Sequence, residues 1–154
     1  MSENLDDIKI RIAAESDLPD ILALYSQLER DETQILPIAE ARAIYDRMKS
    51  YPDYGVYVAE AGGRIVGTFA LAIMDNLAHM GAKSGLIEDV AVSADMRGHG
   101  VGTEMMRYAV RICGDKSCYK VSLSSNVRRE TAHKFYEKLG FKIHGYSFTT
   151  ELEN

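Results

Sequence analysis

Two adjacent carboxylates, Glu88 and Asp89, sit in an apolar run shortly ahead of Arg97-Gly98-His99-Gly100-Val101-Gly102-Thr103. A carboxylate there can bind an ammonium group or take a proton from it. The alternate glycines let the backbone turn tightly and aim several amide hydrogens at one point, where a helix N-terminus adds partial positive charge. That geometry cradles an anion, and a pyrophosphate fits it. Arg97 adds a forked, charged donor. The plainer reading is a glycine-rich link between a strand and a helix. Two familiar phosphate loops do not fit, because Gly102 is followed by Thr103 and Glu104 rather than Lys-Ser/Thr, and a dinucleotide fingerprint needs glycine where Thr103 stands.

The remaining candidates carry weaker signals. His79 lies in a loop, where it either touches a substrate or is simply solvated. Tyr136 is a core aromatic or a hydroxyl with a role. His133 is an exposed helix residue or a contact at a ligand's rim. Arg128, Arg129 and Lys134 form a basic group in an acidic chain, suited to an anionic ligand or to a solvated helix start. Cys113 and Cys118 read as reduced thiols near the core, with a loop disulfide or a metal site as the alternatives. The four histidines lack metal-ligand spacing, so no metal is expected.

These residues need elements to hold them. Ile8, Ile10 and Ile12 alternate with polar residues as a first strand. Ser16 is placed to cap a helix whose Ile21, Leu22, Leu24, Tyr25 and Leu28 share a face. A second helix is expected from Ile38 to about Ser50. Val56 and Val58 make a short strand, and Ala61-Gly62-Gly63-Arg64 is a hairpin turn into Ile65–Met74. Asp75 to Lys83 reads as an exposed loop. Leu86–Val92 is the central strand and Val101–Cys113 a helix facing the sheet with Met105, Met106, Ala109, Val110 and Ile112. Tyr119–Leu123 is a strand parallel to the central one. A fourth helix spans Arg129–Leu139, and Phe141–Leu152 is a last strand.

At 154 residues, with 46% apolar content, the chain is read as one domain, 1–154. No apolar run approaches the ~20 residues of a membrane span, and the polar N-terminus does not read as a signal peptide, so a cytoplasmic location is expected. The net charge of −5 argues against a nucleic-acid partner and for a small ligand.

The central strand, the glycine turn and the later Ala132-His133-Lys134-Phe135-Tyr136-Glu137-Lys138-Leu139-Gly140-Phe141 together resemble the GCN5-related N-acetyltransferase (GNAT) family over nearly the whole chain. The resemblance implies an α/β (α+β) fold with a mixed, mostly antiparallel sheet of about six or seven strands, a central parallel pair and about four helices. It implies acetyl-CoA as co-substrate, with Val90, Ala91 and Val92 on the pantetheine and Arg97, Gly98, His99, Gly100, Val101, Gly102 and Thr103 at the pyrophosphate. His133 and Phe135 join the cofactor contacts. Arg129 stands where many members have a cofactor-contacting asparagine, and Asn126 is the alternative. Glu88, favoured over Asp89, is the base and a substrate contact with His79, and Tyr136 is the proton donor to the departing thiolate. Ile87-Glu88-Asp89-Val90 is similar to glucosamine-6-phosphate N-acetyltransferases, and Leu123-Ser124-Ser125-Asn126 to aminoalkylphosphonate N-acetyltransferases. A small, anionic amine is therefore the expected acceptor. A protein amine, or a non-catalytic CoA-binding module, is the competing reading. Dimerisation is common in the family, which adds a homodimer to the expectations.

Overall fold

The structure is a computed structural model and describes residues 7–28 and 35–153. It divides into two compact units, one reaching to Leu123 and one beginning at Ser124. The first unit holds a five-stranded sheet in the order β1 (Lys9–Ile12), β2 (Tyr54–Ala61), β3 (Arg64–Met74), β4 (Lys83–Val92) and β5 (Cys118–Leu123). Neighbours are antiparallel except β4 and β5, which are parallel. Helices α1 (Leu18–Ser26), α2 (Ile38–Met48) and α3 (Val101–Asp115) complete it, and the second unit holds α4 (Glu130–Lys138). The mixed sheet, parallel pair and four helices match the expected class.

Alternation decides which residues each helix covers, because paired residues share a face of the sheet. On one face Val58 packs with Ala13, Leu18 and Ile21 under α1. On the other, Phe69, Leu71 and Ile87 are buried with Val101, Met105, Met106, Ala109 and Cys113 of α3. Contact there is so close that a Cβ on Gly67 would come within 2.9 Å of both Met105 Sδ and Val101 Cγ1. A side chain on Gly85 would likewise collide with Cys113 Sγ. Glycine at these two rungs lets α3 lie against β3 and β4.

The β2–β3 hairpin forms where the two glycines predict it, with Gly62 and Gly63 at φ 58° and 73°. Elsewhere the fold corrects the sequence reading. Ser16 does not cap α1. The backbone amide of Ala14 instead donates to Asp17 Oδ2 at 2.7 Å, and Arg11 clamps both oxygens of that carboxylate at 2.7 and 3.0 Å. Val110 is 45% exposed, and Cys113 takes the buried position on α3 that the periodicity offered it.

The predicted last strand is absent: residues 141–153 form none, which leaves five strands rather than six or seven. Its large apolar residues Ile143, Tyr146, Phe148 and Leu152 stand three, two and four apart, out of step with a strand's two-residue period, and a strand is stable only when it pairs. These four side chains stand 80–91% exposed.

Candidate active site

Two local devices shape β4. Its ladder with β5 ends at Ile87 and Leu123, so from Glu88 to Val92 no β5 residue pairs with that edge. On the β3 side Ala70 pairs with Glu88 and Thr68 with Ala91, so Asp89 and Val90 together oppose Phe69 alone. This is a bulge, and Asp89 takes φ 52° to make it. Both carboxylates are exposed. The tyrosines nearby register them. Burial raises the Tyr54 phenol above its ordinary range, with Asp89 and then Glu88 adding to the shift. Burial pushes Tyr25 up to about 12, and Asp89 adds to that shift too.

Beyond Val92 the chain is pinned before it turns. The Ser93 amide donates to the Val66 carbonyl at 2.8 Å, the Ser93 hydroxyl donates to Asp95, and Arg64 Nη2 reaches Asp95 Oδ2 at 2.7 Å. These bonds, the Arg64 guanidinium first, hold the Asp95 carboxyl down at about 2. Gly98 and Gly100 then adopt φ 80° and 86°, with no atom within 4 Å of where a Cβ would stand. Gly100 precedes α3, whose first amides, those of Val101, Gly102 and Thr103, have no partner within the helix. Open space, convergent amides and the exposed side chains of Arg97 and His99 fit an anionic diphosphate.

The Asp75–Lys83 loop contains a short turn, His79–Gly81, and is anchored by Asn76 Nδ2, which donates to the Ala82 carbonyl at 2.8 Å. His79 is engaged: its ring stacks on Tyr119 with centroids 4.2 Å apart. A cavity of about 240 Å³ in the same unit is lined by Asp53, Tyr57, Ile112 and Lys116 among others, and contains none of the predicted site residues.

In the second unit Tyr136 lies against Phe135 and Phe141, with centroids 5.1 and 5.9 Å away. Burial lifts its phenol above the ordinary tyrosine range, opposed by Arg129. Asn126 is used locally: Oδ1 accepts from the Arg128 amide at 2.9 Å, and its carbonyl oxygen lies 2.8 Å from His133 Nε2. Ser125 Oγ is buried without a hydrogen-bond partner. Among the described residues no group of three or more His, Cys, Asp or Glu side chains could hold a metal, and no helix is long and apolar enough to cross a membrane.

The model of the acetyltransferase (GNAT) family matches residues 21–141. The chain belongs to that family. Among its relatives, a glucosamine 6-phosphate N-acetyltransferase of Trypanosoma brucei brucei is 37% identical over 95% of this chain and 97% of its own length. An aminoalkylphosphonate N-acetyltransferase of Salmonella typhimurium is 26% identical over 94% and 91%. A solved structure described as a putative acetyltransferase from Agrobacterium tumefaciens superposes with a TM-score of 0.88 at 32% identity, over 94% of this chain and all of that one. As a GNAT acetyltransferase, the chain is an acyltransferase. Beside the carboxylates the structure brings Tyr25 and Tyr54, which sequence reasoning left as packing aromatics. Their only signal was a phenol oxygen on an apolar face.

Proposed function

We propose that this GNAT chain, acting as one domain from 1 to 154, transfers the acetyl group of acetyl-CoA to the primary amine of a small, phosphorylated or phosphonylated molecule. The observation that carries the reading is the β4 edge from Glu88 to Val92, left unpaired by β5 and followed, after the pinned residues 93–97, by the Gly98–Thr103 turn. An extended amide-bearing ligand can pair along the first as a strand would, and its diphosphate can sit in the second. When bound, acetyl-CoA supplies a thioester carbonyl open to attack.

This chain's residues do the rest. Glu88 or Asp89 takes the ammonium proton, directly or through a water, so that the free amine attacks the carbonyl carbon. An amide of Val90 or Ala91 donates to the oxygen as it becomes an oxyanion. Collapse breaks the carbon–sulfur bond, the departing thiolate takes its proton from the Tyr136 hydroxyl, and the second proton lost by the amine nitrogen as the amide forms restores that hydroxyl through water. Neither cysteine enters, since Cys113 is buried and its thiol is pushed up to about 12 by burial first and by Cys118 next. Arg128, Arg129 and Lys134 offer positive charge to an anionic group in a chain of net charge −5.

Support for the acceptor class comes from the glucosamine 6-phosphate and aminoalkylphosphonate enzymes among the relatives. The exposed Ile143, Tyr146, Phe148 and Leu152 support a homodimer that covers them. The test is release of free thiol from acetyl-CoA with amino-sugar phosphates, aminoalkylphosphonates, neutral amines and peptide amines. The reading predicts fastest release with a phosphorylated or phosphonylated amine. Faster release with peptides would assign a protein acceptor instead.

A further inference from the structure

One short piece of β3, from Arg64 to Gly67, holds the glycine turn at both ends. Where the turn ends, Val101 of α3 is buried, and a Cβ on Gly67 would come within 2.9 Å of Val101 Cγ1, so the helix start rests on that rung. Where the turn begins, the β4 ladder finishes with Val92 opposite Gly67. The Ser93 amide then donates to the Val66 carbonyl at 2.8 Å, and Asp95 meets Arg64, the first residue of β3. The chain thus follows β3 back toward the hairpin before it turns away.

A single carboxylate closes this path. Asp95 Oδ2 accepts from Arg64 Nη2 at 2.7 Å, and Oδ1 accepts from Arg64 Nη1 at 3.4 Å and from the Ser93 hydroxyl. Within the closed stretch the Met96 amide donates to the Ser93 carbonyl at 2.9 Å, and the Met96 side chain is buried. Gly98 and Gly100 are the opposite case: both have positive φ, and nothing lies within 4 Å of where a Cβ would stand. Two unpacked glycines have wide backbone freedom, and ordering them on a ligand costs less when both ends are already fixed.

We infer that Arg64 and Asp95 are positioning residues for the diphosphate, their ion pair fixing where the turn begins so that its amides converge before the ligand arrives. Neither residue touches the ligand in this arrangement. The inference rests on the acetyl-CoA reading and makes a demand that charge alone does not. A carboxylate close to an anion site repels the anion, so on Coulomb grounds its removal strengthens binding. Positioning requires the reverse. With its carboxyl held down at about 2, Asp95 is charged at every working pH, so the two effects compete directly.

The experiment compares wild type with Asp95→Ala and Arg64→Ala. Calorimetry measures binding of CoA and of pantetheine, which lacks the diphosphate, and NMR relaxation gives backbone order parameters for Gly98, His99 and Gly100 without ligand. Each substitution is expected to weaken CoA about fivefold, as much as an exposed ion pair can contribute. Pantetheine binding and the melting temperature should stay as they were, and the order parameters should fall. The double variant should bind CoA no worse than the weaker single one, since both remove the same bond. An Asp95→Ala chain that binds CoA as tightly as wild type, or more tightly, would overturn the inference. So would CoA and pantetheine weakened alike together with a lower melting temperature. If wild type itself binds CoA no more tightly than pantetheine, the turn seats no diphosphate, and the acetyl-CoA reading fails along with this inference.

Discussion

A phenol can protonate a departing thiolate only if it still carries its proton, and burial keeps Tyr136 above the ordinary tyrosine range. Tyr136→Phe is expected to lower kcat about 10²-fold while acetyl-CoA Kd, measured by calorimetry, stays the same. Two exposed carboxylates stand at the bulge, either of them open to the proposed role of base. Glu88→Gln is expected to flatten the rising limb of the pH–kcat/KM profile; an unaltered limb, with Asp89→Asn removing it, would move the role to Asp89. Glu88, Tyr136 and the glycines could be proposed from the sequence because each lies in a motif with a fixed spacing. Asp89 was named from the sequence, but its bulge was not foreseen. A bulge built on a non-glycine residue at φ 52° leaves no mark in the composition of the strand.

Elements read correctly where local chemistry decides them and misread where pairing does. Gly62 and Gly63 announce their hairpin because positive φ favours glycine. The start of α1 was assigned to Ser16, the conventional capping type, yet no side chain caps α1 itself: Asp17, held by Arg11 on β1, caps the preceding turn Glu15–Asp17 through the Ala14 amide. That cap gives the fold a pH dependence. The Arg11 guanidinium, more than any other cause, holds the Asp17 carboxyl below its ordinary range, against the opposing effect of burial. The folded chain therefore binds this proton less tightly than the unfolded chain does. The stabilisation is present in full above the unfolded value and fades as pH falls through it toward the folded one. Asp17→Asn is expected to cost about 2 kcal/mol at neutral pH, shrinking toward pH 3, in urea titrations at both pH values. An equal loss at both would assign the effect to packing rather than charge. Phe141–Leu152 was misread as a strand, because a sequence shows that a segment could be a strand without showing what it pairs with.

At the scale of the whole molecule, the match from 21 to 141 runs through both units, and the chain spans nearly all of the two curated relatives compared with it. The four apolar side chains left 80–91% exposed beyond residue 141 should not remain open to water. Light scattering on the eluting peak is expected to give twice the mass of the 17.1 kDa chain, and replacing Tyr146 and Phe148 with Ser should return it to one. Family, fold class and co-substrate could be read because they lie in motifs; the acceptor could not, because it is chosen by surfaces that the motifs do not include. The most direct test of acetyl transfer to a phosphorylated amine is the initial rate of thiol release from acetyl-CoA with and without glucosamine 6-phosphate, and the mass of the product. The account predicts release that depends on the amine and saturates with it, and a product heavier by one acetyl group. Acetyl-CoA that binds but releases thiol no faster with any amine than without would contradict it.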